Sequence, residues 1–179
     1  MIEKEVYNSL MAVLTEQQED KPAVMAHFDW YNQQDQDIIQ RDNNNDEEPD
    51  TFPFPAVFLS FPTDIDWEYR GAKMKEAYTK IELVIIQEQH QDINSNTAPV
   101  IKDAGLAWMD ELDRVVELCE ASRADHFDKV KHVNTRHDHN HFEIRTTRLL
   151  FNILLRDLSR MKQYQKVTPD VTITTTLKA

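Results

Sequence analysis

Hydrophobic and polar residues alternate along residues 77–87, a pattern typical of a β-strand with one buried face. One face carries Ala77, Thr79, Ile81, Leu83 and Ile85, and the other carries Tyr78, Lys80, Glu82, Val84 and Ile86. A short apolar run at 53–61 is followed by Pro62 and predicts a second strand, because proline cannot donate to a strand ladder and therefore marks strand ends. The polar connection at 65–73 contains Gly71. We therefore predict two antiparallel strands joined by a long, partly extended hairpin around Gly71.

Two other stretches repeat apolar residues at the three- and four-residue spacing of an amphipathic helix. The first extends from Ile2 to about Glu16, and its apolar positions are Ile2, Val6, Leu10, Val13 and Leu14. The second begins near Pro99, a residue suited to the first turn of a helix, and extends to about Cys119. Its apolar stripe consists of Ile101, Ala104, Trp108, Leu112, Val115 and Cys119. We predict that these two helices pack on the sheet.

The last third of the chain contains another long strand pattern, at 141–156, in which one face carries Leu149, Phe151, Ile153 and Leu155. A weaker strand is predicted near 129–134. A short strand is predicted within 23–31, where the apolar residues are Val24, Phe28 and Trp30. The residues predicted to pack together between sheet and helix are Phe58, Ile81, Leu83, Trp108, Leu112, Phe151 and Ile153.

Two segments lie outside this predicted core. Residues 32–50 are rich in Gln, Asn and Asp, with Ile38 and Ile39 as their apolar anchor, and cannot bury enough apolar area to offset their ordering entropy. They are predicted to form a solvated loop or a contact between subunits. Residues 167–179 contain five threonines and alternate in the manner of a strand, with Val171, Ile173, Thr175 and Leu177 on one side. This segment is either a disordered terminus or a strand that pairs with a neighbouring subunit.

These elements predict an α+β fold: a single, mostly antiparallel β-sheet flanked by two helices on one face, with an extended C-terminal arm. A chain of 179 residues suits one domain with a sizeable core. We assign the α+β domain to residues 1–166, with the polar insertion at 32–50, and the arm to residues 167–179.

Charge and composition narrow the classes of function. The net charge of −12 argues against a general nucleic-acid-binding surface, because phosphate contacts need clustered Lys and Arg. The single cysteine, Cys119, falls on a helical apolar stripe and is predicted to be a buried thiol in a reducing compartment. The N-terminal residues do not resemble a signal peptide, and no apolar run approaches the roughly 18 residues that span a bilayer. We therefore expect synthesis in the cytoplasm and no membrane partner.

The sharpest local chemical feature is a group of histidines. Five of the seven lie between residues 121 and 141, and His137, His139 and His141 would share one face of a strand, where they could bind Zn or Ni. Their spacing matches no structural zinc framework and no His-Glu-x-x-His motif. We therefore predict a polar hairpin loop here, with no metal, no cofactor and no catalytic residue. A small metal-dependent enzyme using the cluster from His132 to His141 remains an alternative.

The order of the elements resembles a known family. The run Phe54-Pro-Ala-Val-Phe-Leu-Ser-Phe61, then Trp67-Glu-Tyr69, then the strand at 78–87 is similar to the tail-terminator and tail-completion proteins of long-tailed bacteriophages. In that family a Pro-Ala-Val strand leads into a hairpin, followed by a hydrophobic strand, a helix and a late strand, here 145–156. The same run also resembles tail-region proteins of Bacteroidetes phages and prophages. The resemblance covers residues 2–158, and the insertion at 32–50 and the threonine-rich arm depart from it.

The resemblance implies a structural virion protein. It would form a ring, most simply of six copies, at the head-proximal end of the tail tube, end tube polymerisation and provide the surface that joins tail to head. Its partners would be other copies, the tail tube protein and neck or connector proteins, while DNA passes through the lumen without specific binding. A neck or head-completion protein is the alternative within the same class. The residues expected at subunit interfaces are Ile38, Ile39, Trp67, Tyr69, Val171, Ile173 and Leu177.

Overall fold

The computed structural model describes residues 2–17, 22–34, 52–70, 74–88, 99–138 and 144–158. In the helix that begins at residue 99, the side chains are described from residue 106 onward. Within these ranges the elements are α1 (Ile2–Thr15), β1 (His27–Trp30), β2 (Ala56–Ser60), β3 (Glu68–Arg70), β4 (Met74–Glu88), α2 (Pro99–Ala121), β5 (Phe127–Asp138) and β6 (Ile144–Asp157). The fold is α+β, with six strands in one sheet that does not close and two helices.

The sheet is mixed, with the strand order β1-β2-β4-β6-β5. β1 and β2 are parallel, whereas the other pairings are antiparallel. β4 pairs with β6 along its whole length, from Lys75 opposite Asp157 to Glu88 opposite Ile144. The other side of β4 pairs with β3 near its beginning and with β2 near its end. The predicted antiparallel pairing of the strands at 53–61 and 77–87 is therefore confirmed.

One face of the sheet shares its core with both helices, and we call it the helix-covered face. Alternate residues of the strands point to this face, since side chains alternate along a strand. The helices contribute residues spaced three or four apart, which lie on one side of each helix. The main buried members are Val6, Leu10, Leu14, Val57, Leu59, Ile81, Leu83, Ile85, Leu112, Val115, Cys119, Phe127, Leu149, Phe151, Ile153 and Leu155. Trp108 is partly buried against them.

The opposite face of the sheet has a separate, smaller cluster at one end. Its buried members are Ala56, Phe58, Val84, Ile86 and Ile144, and the partly buried Tyr31, Phe52 and Phe54 pack against them. The prediction that Phe58 packs between sheet and helix is therefore wrong, whereas its predicted neighbours Ile81, Leu83, Leu112, Phe151 and Ile153 do share the helix-covered core. In the all-apolar run Ala56–Leu59 both strand faces are hydrophobic, so the pattern does not show which face Phe58 takes.

The connection from α1 to β1 joins helix and sheet through backbone hydrogen bonds. The amides of Val24 and Met25 both donate to the Leu14 carbonyl, at 3.1 and 3.0 Å, which satisfies an acceptor left open at the helix end. The amide of Ala26 then donates to the Pro55 carbonyl at 2.8 Å, just before β2. β1 is shorter than the strand predicted within 23–31, because Val24 and Met25 belong to this turn although both are buried.

The strand before β6 is longer than predicted. The sequence indicated 129–134, whereas β5 has 12 residues and extends to Asp138. His132 lies in this strand, as the prediction for 129–134 implied, whereas His137 also lies in it, which corrects the prediction of a polar hairpin loop at that position. Exposed side chains fill most of β5, so it lacks the alternation that identifies a half-buried strand.

Candidate interaction site

The first surface predicted to contact other subunits is the β3–β4 hairpin. Tyr69 is exposed, and the Lys75 Nζ lies 5.0 Å from the centroid of its ring. Trp67, two residues earlier, is partly buried and packs against the helix-covered core, as do Phe61 and Ile65. The structure therefore leaves the Tyr69 ring accessible at the hairpin, while Trp67 helps to fix the hairpin to the domain.

The other predicted interface residues cannot be placed on this hairpin. Ile38 and Ile39, in the polar insertion, lie outside the described residues. Val171, Ile173 and Leu177, in the C-terminal arm, also lie outside them. The structure thus places two of the seven predicted residues, at neighbouring positions in the connection between β2 and β4.

Ion pairs connect the base of the hairpin across the sheet. Arg70 Nε lies 3.5 Å from the Glu76 carboxylate, and Arg156 Nε lies 3.4 Å from the same carboxylate. Arg156 also reaches Asp128 with its Nη2, at 3.4 Å from Oδ2. These contacts link β3, β4, β6 and β5 in a row on the opposite face. Ion pairs that form a network contribute more than isolated surface pairs do. These contacts therefore help to fix the position of the hairpin at this end of the sheet.

A second polar contact lies beside the small apolar cluster on the opposite face. Arg148 Nη1 lies 3.4 Å from Glu82 Oε2, and its Nη2 donates to the Tyr31 hydroxyl at 3.2 Å. The guanidinium carbon also lies 5.2 Å from the centroid of the Tyr31 ring. Arg148 therefore holds the residue that follows β1 against the centre of the sheet by charge, hydrogen bond and cation–π contact.

The two described histidines of the cluster contact hydroxyl and aromatic groups. His132 lies edge-on to Phe151, with ring centroids 5.4 Å apart, and its Nε2 lies 3.0 Å from Thr135 Oγ1. His137 Nδ1 lies 3.1 Å from Thr147 Oγ1, and its ring is edge-on to Trp108 at 5.4 Å. In the part of the chain that the structure describes, no group of three His, Cys, Asp or Glu residues is arranged to hold a metal. His139 and His141 lie outside that part.

Trp108 has a second contact that the sequence did not indicate. The Arg145 guanidinium carbon lies 4.0 Å from the centroid of the Trp108 ring, a cation–π arrangement. Burial lowers the pKa of the Arg145 guanidinium below its ordinary value. Next to it in register, Gln87 donates from Nε2 to Glu111 Oε2 at 2.7 Å. The helical spacing placed Trp108 in the core but did not indicate that an arginine of β6 would stack on its ring.

The cysteine is buried as predicted. Cys119 has no exposed surface, and burial raises the pKa of its thiol to about 12, with the charge of Glu120 adding to the effect. A thiol with such a pKa remains protonated at neutral pH, whereas nucleophilic cysteines act as thiolates. Cys119 therefore serves as a small apolar residue between α2 and the sheet.

β1 and β5 lie at the two ends of the described strand order. β1 forms one edge with four residues, and its Trp30 is 40% exposed and stacks on Tyr7 at 4.9 Å. β5 forms the other edge with 12 residues, most of them exposed. Strand edges present backbone donors and acceptors that another strand can pair with. The long edge formed by β5 is the larger of the two.

No protein-family model matches the chain, and no curated protein sequence matches it. Among the helices that the structure describes, none is both long enough and apolar enough to cross a membrane.

Proposed function

We propose that six copies of this chain form a ring at the head-proximal end of the tail tube of a long-tailed bacteriophage. The ring ends polymerisation of the tube and provides the surface to which neck or connector proteins join. The observation that carries the proposal is the order of elements, in which a helix and two short strands precede a hairpin, a long strand, a second helix and two long strands. From β2 onward, the succession of a strand, a hairpin, a hydrophobic strand, a helix and a late strand is the order implied by the resemblance to tail-terminator and tail-completion proteins.

The open sheet supports assembly from several copies. A sheet that does not close leaves two edges, and a contact between different surfaces of neighbouring copies closes into a ring when the rotation between them permits. The hairpin that carries Tyr69 offers a further exposed surface to a neighbour or to the tube. In this account the helix-covered core stabilises each copy, while edges and hairpin make the contacts.

The net charge of the chain supports the proposal that DNA moves through the ring. Each copy has a formal charge of −12, so a ring of six is strongly acidic. Acidic groups around a channel repel the phosphate backbone, whereas clustered basic groups would bind it through counterion release. We propose that the inner wall of the ring is acidic and that the basic residues of 156–166 face acidic partner proteins instead.

A tube-growth experiment tests this function. Purified tail tube protein is allowed to polymerise with increasing amounts of the chain, and tube lengths and ends are measured by negative-stain electron microscopy. The proposal predicts shorter tubes as more protein is added, with extra density at one end only. Because the ring forms on the tube end, the result does not require that the free protein be hexameric.

The same images separate the proposal from its nearest rival. Tubes that grow to their usual length, or protein bound along their sides, would contradict a terminator role. If the protein instead binds isolated connectors and leaves tube growth unchanged, the neck-protein alternative is correct. Bovine serum albumin at equal concentration controls for non-specific crowding.

A further inference from the structure

The outer edge of β5 is long and lies at the end of the sheet. β5 pairs with β6 on one side, and no described strand pairs with its other side. Proteins usually protect such edges with irregular backbone or with charged residues, because an unprotected edge accepts additional strands.

The first half of β5 has this protection. Its register with β6 shifts between Asp128 and Lys131 and again between His132 and Asn134. Lys129, within the first irregularity, has a φ of 56°, in the left-handed region that few non-glycine residues adopt. Bulges twist a strand and interrupt its ladder, so this half is poorly shaped for another strand.

The next residues of β5 are regular. Asn134, Thr135 and Arg136 lie opposite Leu150, Leu149 and Arg148 without a shift in register. All three β5 residues are exposed, as is Val133 just before them. We call Asn134–Arg136 the regular edge. It combines extended backbone, an accessible outer side and no bulge.

We propose that the regular edge binds the segment 171–177 of a second copy of the chain as an added antiparallel strand, in which Ile173, Thr174 and Thr175 lie opposite Arg136, Thr135 and Asn134. The sequence of that segment is Val-Thr-Ile-Thr-Thr-Thr-Leu, which consists of residues common in strands and includes no charge, glycine or proline. In strand addition, main-chain hydrogen bonds supply the affinity and alternate side chains supply the specificity. The proposal rests on the proposed function only in requiring that copies associate.

Chain length favours a segment that comes from a second copy. Leu158 follows β6 at the end of the sheet where β5 begins, since Leu155 lies opposite Phe127. If an antiparallel segment were centred beside Thr135, its Val171 would lie level with Thr146, about 40 Å from Leu158 along the sheet. The twelve residues between Leu158 and Val171 span at most about 45 Å when fully extended, and crossing β5 adds about 10 Å sideways, so the same copy could reach this position only with a nearly straight connection. A second copy has no such limit.

Disulfide trapping between two full-length variants tests the contact. One variant carries Thr135→Cys and the other Thr174→Cys, and Cys119 does not interfere because it is buried. Directly opposite residues of paired strands have Cβ atoms about 4.5–5.5 Å apart, close to the spacing that a disulfide needs. After mild oxidation of the mixture, we expect at least about tenfold more cross-linked heterodimer than in a control mixture of Thr174→Cys with Lys80→Cys, because bound cysteines have a high effective concentration.

A scan of positions shows whether the contact is a strand. Replacing Thr172, Ile173, Thr174 and Thr176 one at a time by Cys should give cross-links to Thr135→Cys at alternate positions only, because alternate residues of a strand face the same side. Thr174→Pro should reduce association, while Thr174→Val should not, since proline removes a backbone donor.

Three results would overturn the proposal. The first is cross-linking no greater than in the Lys80→Cys control, and the second is cross-linking without alternation. The third is a disulfide that closes within one chain when Thr135→Cys and Thr174→Cys are combined, which would mean that each copy binds its own segment. Failure of the proposed function is recognised separately. Copies that cross-link as expected but do not shorten tail tubes would leave this contact intact and reject the terminator role, whereas tube capping without cross-linking would reject the contact alone.

Discussion

The two faces of the sheet are stabilised in different ways. The helix-covered face buries apolar residues from α1, α2 and five of the six strands in one continuous cluster. On the opposite face the described apolar residues cluster at the end near β2, and ion pairs cross from strand to strand, such as Arg148 with Glu82 and Arg156 with Glu76. Antiparallel sheets commonly have one packed and one hydrated face.

The two faces of the sheet contribute differently to the stability of the fold and to the chemistry of the surface. Apolar burial is the dominant favourable contribution to folding, whereas partly exposed ion pairs contribute little each. We therefore expect the helix-covered face to determine the stability of the fold. The opposite face keeps Tyr78, Lys80 and Asn152 exposed and fixes the relative positions of the strands.

The largest expected effect comes from truncating the centre of the helix-covered core. Phe151 has no exposed surface, and Phe151→Ala should lower the free energy of unfolding by about 3–5 kcal/mol. Phe58→Ala, in the smaller cluster, should cost less, about 2–3 kcal/mol, because its partly exposed neighbours can collapse into the gap. Urea unfolding followed by circular dichroism measures both. Tyr78→Ala is the exposed control and should change stability by less than about 0.5 kcal/mol. A larger loss for Phe58→Ala than for Phe151→Ala would reverse the ranking of the two faces.

Alkaline pH should weaken the helix-covered face through Cys119. The folded thiol has a pKa of about 12, while the ordinary value is 9.0. Between these values the unfolded chain releases a proton that the folded chain keeps, so stability is lost as pH rises, by up to about 1.4 kcal/mol per pH unit. At pH 10.5 the loss relative to neutral pH should be about 2 kcal/mol and absent from Cys119→Ala.

Urea titrations of the wild type and Cys119→Ala between pH 7 and 10.5 measure this loss. Other titrating groups act in both proteins, so only the difference between the two pH dependences is diagnostic. Parallel curves would show that burial does not perturb the thiol and would contradict the described packing of α2.

The ion pairs of the opposite face should have the smallest effect. Arg148→Met removes the contacts with Glu82 and Tyr31 and should cost about 1–2 kcal/mol, since the side chains are partly exposed and their charges partly screened. A double-mutant cycle with Glu82→Gln isolates the coupling between the two residues. A coupling energy indistinguishable from zero would mean that Arg148 acts only through its contacts with Tyr31.

The sequence predicted those parts of the fold in which one strand face is apolar and the other polar. The alternation at 77–87 and at 149–155 identified β4 and β6, and it placed Ile81, Leu83, Phe151 and Ile153 in the correct core. The helical spacing of Leu112, Val115 and Cys119 did the same for α2. In each case a single local period determines both the element and its buried side.

The remainder depended on tertiary contacts that no local period encodes. Phe58 lies in a strand that is apolar on both faces, so the sequence did not show its side. β5 is an edge strand with exposed side chains and two irregularities, so the sequence predicted only its part near 129–134 and not its extension to Asp138. The parallel pairing of β1 with β2 and the stacking of Arg145 on Trp108 join distant parts of the chain. The predicted interface residues Trp67 and Tyr69 fall on one hairpin, and the other five lie outside the described residues.

Hydrogen–deuterium exchange at low and high protein concentration tests the central claim, that a helix-covered core stabilises each copy while the edge of β5 joins copies. We predict that amides of residues 134–136 and 171–177 exchange more slowly at high concentration, whereas amides of α1 and α2 are unchanged. Exchange at 134–136 that does not depend on concentration, with new protection appearing instead around Tyr78, Lys80 and Asn152, would show that copies associate through the opposite face and would contradict the account.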